Sequence, residues 1–184
     1  MKTLFIDSQI KYIGSQLSPH WIYKNFNIQG DAIVSFVGEC DVDLTEMVDL
    51  EDVINNEPIY SKLMLSFISE QFNVNLIEGV FRQRLLISVI KEALEKRGAV
   101  VVRSGDDLFV NDKKLSVSIA TKSLTSVLIH TGVNILSEDA PIEVSSLQDD
   151  LNISNIKEFS QEVMKNYSNE IEDIVLASTK VRGV

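Results

Sequence analysis

The chain has 184 residues, with 27 acidic and 17 basic side chains and a formal net charge of −10. At this length we expect one domain, and a hydrophobic content of 45% excludes a disordered chain. The acidic balance argues against a nucleic-acid partner, because non-specific binding to phosphates needs a basic surface.

Cysteine content and hydropathy narrow the class further. The single cysteine, Cys40, excludes a disulfide framework and a cysteine-rich zinc site. The apolar stretch that follows Met1 is too short for a signal peptide, and no apolar run approaches the roughly 20 residues of a membrane helix. We therefore expect a cytoplasmic protein with no membrane partner.

The first third of the chain predicts strands and polar connections. A strand is expected within residues 1–14, and Ser18 followed by Pro19 suits the start of a short helix. The segment 31–38 is almost entirely apolar, which is typical of a strand covered on both faces. The segment 39–56 is rich in acids and is interpreted as a solvated connection.

Helical spacing of apolar residues predicts the next elements. A first helix is expected over 59–72, where the apolar stripe is Ile59, Leu63, Phe67, Ile68 and Phe72. A second helix is expected over 79–96, before a stop at Gly98. Near the end of the chain two further helices are expected, over 154–167 and 169–179.

Between these helical regions the period changes to that of strands. Four strands are predicted, at 99–103, 107–111, 115–121 and 126–136. The breaks are short enough for hairpins, so the strands form an antiparallel meander. In the third strand Ser116, Ser118 and Ala120 alternate with apolar residues, and we expect them on an exposed face open to a ligand or to a homodimer partner.

These elements predict an α+β fold, a mostly antiparallel sheet with packed helices. The expected organisation is a single domain, 1–184, with a core at 1–140 and a C-terminal helical extension at 141–184.

Two segments resemble a known superfamily. Asp107–Ala120 and Ser126–Ile135 are similar to the core of the biotin protein ligases and lipoate ligases, whose fold is related to class II aminoacyl-tRNA synthetases. On that comparison Lys114 aligns with the family lysine, which contacts the acyl carboxylate and the α-phosphate of an acyl-adenylate. A lysine there would stabilise negative charge on the acyl group during transfer.

The whole chain is also similar to an uncharacterised archaeal family that carries a domain of unknown function in the same superfamily. The segments that carry this similarity are Gln29–Ala32, Gly38–Val42, Arg82–Leu86, Lys114–Ala120 and Ile129–Asn134. The resemblance implies the ligase fold for essentially the full length and implies no activity.

The sequence also departs from the ligases. The Gly-Arg-rich phosphate loop of biotin ligases and the Arg-Arg-x-Ser-Gly-Gly-Gly stretch of lipoate ligases are missing, and Val117 lies where the ligases carry glycine. Two functions stay open. One is binding or transfer of an acyl or other carboxylate-bearing small molecule, and the other is a non-catalytic small-molecule-binding or assembly module.

The candidate site centres on Lys114 and His130, the two proposed catalytic residues. The proposed substrate-binding residues are Gly30, Asp31, Arg82, Arg84, Ser116, Ser118 and His20. Each has an ordinary structural alternative, such as a turn lysine, a core histidine or a surface ion pair. No cofactor follows from the sequence, and with two histidines a His-rich metal site is excluded.

Overall fold

The computed structural model describes residues 1–138 and 142–184. The strands are β1 (Lys2–Phe5), β2 (Ala32–Val42), β3 (Ile59–Phe72), β4 (Val102–Ser104), β5 (Asp107–Val110), β6 (Lys113–Lys114), β7 (Ser116–Lys122) and β8 (Ser126–Asn134). The helices are α1 (Trp21–Phe26), α2 (Leu50–Asn55), α3 (Leu76–Glu95) and α4 (Ile156–Thr179). The predicted boundary between core and extension, at residues 140 and 141, lies outside the described residues.

The strands form two sheets, which confirms the predicted α+β class. The larger sheet has five strands in the order β1-β2-β3-β8-β7, and the smaller has three in the order β4-β5-β6. Strand β1 runs parallel to β2, and every other pair of neighbouring strands is antiparallel. None of the described helices is both long enough and apolar enough to cross a membrane.

Helices α3 and α4 cover one face of the larger sheet and form the main core with it. Each helix begins with an asparagine cap, Asn75 and Asn155, whose side chain accepts a hydrogen bond from a backbone amide of the first turn. Helix α4 is continuous where two helices were predicted. Ser168 does not interrupt it, because this small buried residue donates its hydroxyl hydrogen to the Met1 carbonyl and fits against β1.

The predicted helix at 59–72 is wrong, because this segment is strand β3. β3 is a central strand between β2 and β8, and residues 64–71 are all buried because one face packs in the main core and the other in a second, smaller core. A strand buried on both faces has no apolar-polar alternation, and its apolar residues also match a helical spacing.

The predicted meander is correct in its first and last strand pairs, β4 with β5 and β7 with β8, and wrong in the pair between them. The chain leaves the smaller sheet after β6 and enters the larger sheet at β7. Leu115, between these strands, is fully buried in the main core and holds the two sheets together. The helix expected after Ser18 and Pro19 begins later, at Trp21, with His20 as its cap residue.

The predicted orientation of β7 is reversed. Ser118 lies on the face that packs against α3, where its hydroxyl bonds to Gln83 of α3 and to Thr131 of β8. Ser116 lies on the same face and accepts a hydrogen bond from the Leu108 amide. These small residues let α3 approach the sheet closely, so this face is covered by α3, and Val117 points to the opposite side.

Candidate functional site

A cavity of about 380 Å³ opens on the sheet face opposite α3 and α4. Its floor includes Val117, Ile119 and His130 from β7 and β8, and its roof comes from the segment 42–60 that joins β2 to β3. Lys114, from the smaller sheet, forms one wall. We call this space the Lys114 cavity.

Lys114 is held in place by pairing on both sides of its short strand. It pairs with Phe109 of β5, and its carbonyl accepts a hydrogen bond from the Ser145 amide. Its Nζ atom lies 3.0 Å from Oδ1 of Asp107, and its side chain is 38% exposed. The ammonium is therefore fixed by a carboxylate and still open to the cavity.

His130 contributes a neutral ring to the floor. Its ring stacks on Tyr12 at 3.8 Å between centroids, and its Nε2 lies 3.4 Å from the Ser66 hydroxyl. Burial lowers the pKa of His130 to about 3, so the imidazole carries no charge at neutral pH. It offers a hydrogen-bonding and stacking surface rather than a cationic acid.

The remaining lining is strongly acidic. The carboxylates that line the cavity are Glu46, Asp49, Glu51, Asp52, Glu57, Asp106 and Asp107. Lys114 is the one cation among the described lining residues. Burial raises the pKa of Asp52, with a further contribution from nearby Asp49. Within residues 1–138 and 142–184 no three acidic, histidine or cysteine side chains converge on a metal site.

Four of these acids, Glu46, Asp49, Glu51 and Asp52, were missed because the segment 39–56 was interpreted as a solvated connection. A run of charged residues does not indicate which part of the protein surface the segment will cover. The segment returns over the sheet because β2 and β3 form a long antiparallel pair whose ends, Val42 and Ile59, lie side by side.

The cavity lacks an activated nucleophile among its described residues. Cys40 is fully buried beside Tyr12 and does not line the cavity. Burial raises the pKa of its thiol to about 12, so Cys40 stays protonated and inert. What the cavity offers is one positive charge, a neutral imidazole, an apolar floor and several carboxylates.

Some predicted substrate residues approach this cavity. Ser116 and Ser118 line it in part, although their hydroxyls are engaged on the α3 side of the sheet. Arg84 reaches its edge, where its guanidinium lies 3.2 Å from Asp106. Arg82 lies on α3 away from the cavity and bonds to Glu78 and Gln71.

The other predicted residues lie at the far end of β2 and β3. His20 and Gly30 line a second, separate cavity there. Asp31 has a structural contact, since its Oδ1 accepts a hydrogen bond from the Phe72 amide at 2.8 Å. The structure thus divides the predicted set between two cavities, and Arg82 and Asp31 line neither of them.

The match to known families decides the relationship. The model of a family described as Domain of unknown function (DUF366) matches residues 1–182. The chain belongs to this family. An uncharacterised protein of Methanocaldococcus jannaschii is 37% identical over 180 residues, which cover 95% of this chain and 81% of that protein.

Solved structures agree with this assignment. A protein of unknown function from Pyrococcus horikoshi has a TM-score of 0.93 at 38% identity, over 100% of this chain and 98% of that chain. A bipartite lipoate protein ligase from Thermoplasma acidophilum has a TM-score of 0.62 at 14% identity, over 93% and 83% of the two chains. A biotin protein ligase from Aquifex aeolicus, in complex with biotin, has a TM-score of 0.62 at 14% identity, over 94% and 70%.

The last two similarities show the fold. The chain has a biotin and lipoate ligase-like fold, as the resemblance of Asp107–Ala120 and Ser126–Ile135 implied.

Proposed function

We propose that this protein binds an acyl-bearing small molecule in the Lys114 cavity. The observation that carries the proposal is the position of Lys114, a single cation at the edge of a cavity whose floor is apolar. An acyl chain would lie on Val117 and Ile119, and its carbonyl oxygen would accept a hydrogen bond from Nζ of Lys114. Burial of the chain supplies affinity, and the ammonium fixes its orientation.

The charge of the lining favours a neutral acyl group over a free carboxylate. Seven carboxylate residues line the cavity beside one lysine; Asp107 pairs with that lysine, and Asp106 pairs with Arg84 at the edge. A ligand that carries a carboxylate or a triphosphate would be repelled by these acids, whereas a ligand with an amide, ester or thioester carbonyl would not. This agrees with the missing phosphate loop.

Acyl transfer is the catalytic form of this proposal. An acceptor would add to the carbonyl carbon of a pre-activated donor, and the leaving group would depart with its electron pair. Lys114 would stabilise the negative charge that develops on the carbonyl oxygen. Cys40 is not the acceptor, because its thiol is buried and protonated, and we propose an acceptor that the protein binds from solution.

The second candidate is a binding module without chemistry. The ion pair between Lys114 and Asp107 favours it, because a neutralised ammonium stabilises developing charge less than a free one. Both candidates share the binding step, so binding is tested first and transfer second.

Calorimetric titration with octanamide, octanoate and octanol tests the binding step. We expect octanamide to bind most tightly and Lys114→Met to weaken it by about tenfold, as expected for loss of one charge-assisted hydrogen bond. Lys113→Met is the matched control, because Lys113 faces Glu143 and does not line the cavity. Unchanged affinity in Lys114→Met, or no binding of any probe, would contradict the proposal.

A thioester of octanoic acid then separates the two candidates. Release of free thiol in the presence of an amine acceptor, lost in Lys114→Met, supports transfer. Binding of the thioester without thiol release supports the module.

A further inference from the structure

A second cavity, of about 300 Å³, lies at the end of β2 and β3 away from the Lys114 cavity. Its walls include His20, Tyr23, Ile28, Gln29, Glu70 and Phe72, and it shares no lining residue with the Lys114 cavity. Along β3 the nearest lining residues of the two cavities, Met64 and Glu70, are six positions or roughly 20 Å apart. We call this space the Glu70 cavity.

Glu70 places a buried carboxylate in this cavity. The residue is only 3% exposed, and its Oε1 accepts hydrogen bonds from the His20 amide at 2.8 Å and the Ser126 hydroxyl at 2.7 Å. None of the described residues donates a hydrogen bond to its Oε2. No fully buried side-chain oxygen of the described residues lacks a partner, so Oε2 is open to the cavity.

This carboxylate has no cation beside it. None of the described lining residues is a lysine or an arginine. A buried carboxylate that is hydrogen-bonded through one oxygen only is incompletely compensated, and a positive charge at the other oxygen would complete it.

The walls suit an organic cation. The His20 ring stacks on Phe72 at 5.8 Å between centroids, and Tyr23 adds a half-exposed aromatic ring at the mouth. Aromatic faces attract ammonium groups, and the largely apolar surface would bury the carbon skeleton that carries the charge.

We propose that the Glu70 cavity binds a small organic cation, a protonated amine on an apolar body, with its ammonium donating to Oε2 of Glu70. An anion would be repelled by the carboxylate. The cavity offers a divalent metal a single carboxylate and few other oxygens, whereas such hard cations prefer about six to eight oxygen ligands. The proposal is independent of the function proposed for the Lys114 cavity.

An NMR titration of the full chain with 2-phenylethylamine tests this site, with 2-phenylethanol and phenylacetate as matched neutral and anionic probes. We expect the amine to shift the resonances of His20, Tyr23 and Phe72, and to bind at least about tenfold more tightly than either analogue. Equal binding of the alcohol, or shifts confined to Val117 and Ile119 of the other cavity, would overturn the proposal.

Glu70→Gln removes the charge and keeps the acceptor oxygen for His20 and Ser126. We expect this substitution to lower the affinity for the amine by about tenfold or more. The control Glu92→Gln, at an exposed position on α3, should leave the affinity unchanged. Tyr23→Ala provides a second test that does not depend on the buried position, and we expect it to weaken the amine severalfold. Full affinity in either cavity variant would overturn the proposal.

Discussion

One face of the five-stranded sheet is covered by the long helices α3 and α4, whereas the other is covered by two short helices and the irregular segments around them. The helix face holds the larger continuous core. The loop face holds a smaller core and both cavities. We therefore expect the helix face to contribute most of the stability, and we propose that ligands bind on the loop face.

A matched pair of side-chain truncations on neighbouring strands tests whether the two faces of the sheet differ in packing. Ile129 is fully buried on the helix face, and Ile119 is partly buried in the wall of the Lys114 cavity. We expect Ile129→Ala to lower the free energy of unfolding by about 3–4 kcal/mol, and Ile119→Ala by about 1 kcal/mol. Denaturant unfolding measures both, and equal losses would show that the faces are equally packed.

His130 provides a pH test of the loop face. The pKa of His130 is about 3 in the folded chain and has its ordinary value of 6.5 in the unfolded chain. Between these pH values the unfolded chain therefore binds a proton at His130 and the folded chain does not. Stability contributed by the neutral ring is complete above pH 6.5 and is lost as the pH falls toward 3, at up to about 1.4 kcal/mol per unit.

Unfolding measured at several pH values in wild type and in His130→Gln checks this. We expect the difference between the two proteins to shrink as the pH falls from 6.5 to 4.5, by about 2–3 kcal/mol. A difference that does not depend on pH would mean that His130 is charged or solvated in the folded protein.

Ser118 tests the reversed orientation of β7 with a smaller effect. Its hydroxyl bonds to Gln83 and Thr131 under α3, so Ser118→Ala should cost about 1 kcal/mol of unfolding free energy. Ser154→Ala, at an exposed position, serves as the control and should stay within about 0.5 kcal/mol. An unchanged free energy of unfolding in Ser118→Ala would indicate that this face of β7 is exposed to solvent.

The sequence predicted the fold class because the family segments and the strand pairs of β5 to β8 are local features. It failed at β3, where burial on both faces removes the alternation that marks a strand. It also failed at β7, since small residues are equally suited to an exposed face and to close packing under a helix. Only the position of α3 distinguishes the two.

In the candidate site, too, local sequence features were predicted and long-range geometry was not. Lys114 and His130 were found through the resemblance, and the structure brings both to one cavity. The acidic lining and the placement of His20 in a different cavity depend on how loops return over the sheet. Such long-range geometry leaves no mark in the spacing of residues along the chain.

We propose that the loop face, and not the helix face, receives an acyl ligand. Titration of methyl-labelled protein with octanamide tests this through intermolecular nuclear Overhauser effects. We expect contacts from the acyl chain to the methyl groups of Val117, Ile119 and Met64. Contacts confined to methyl groups of the helix-face core, such as Ile129, or none at saturating octanamide, would contradict it.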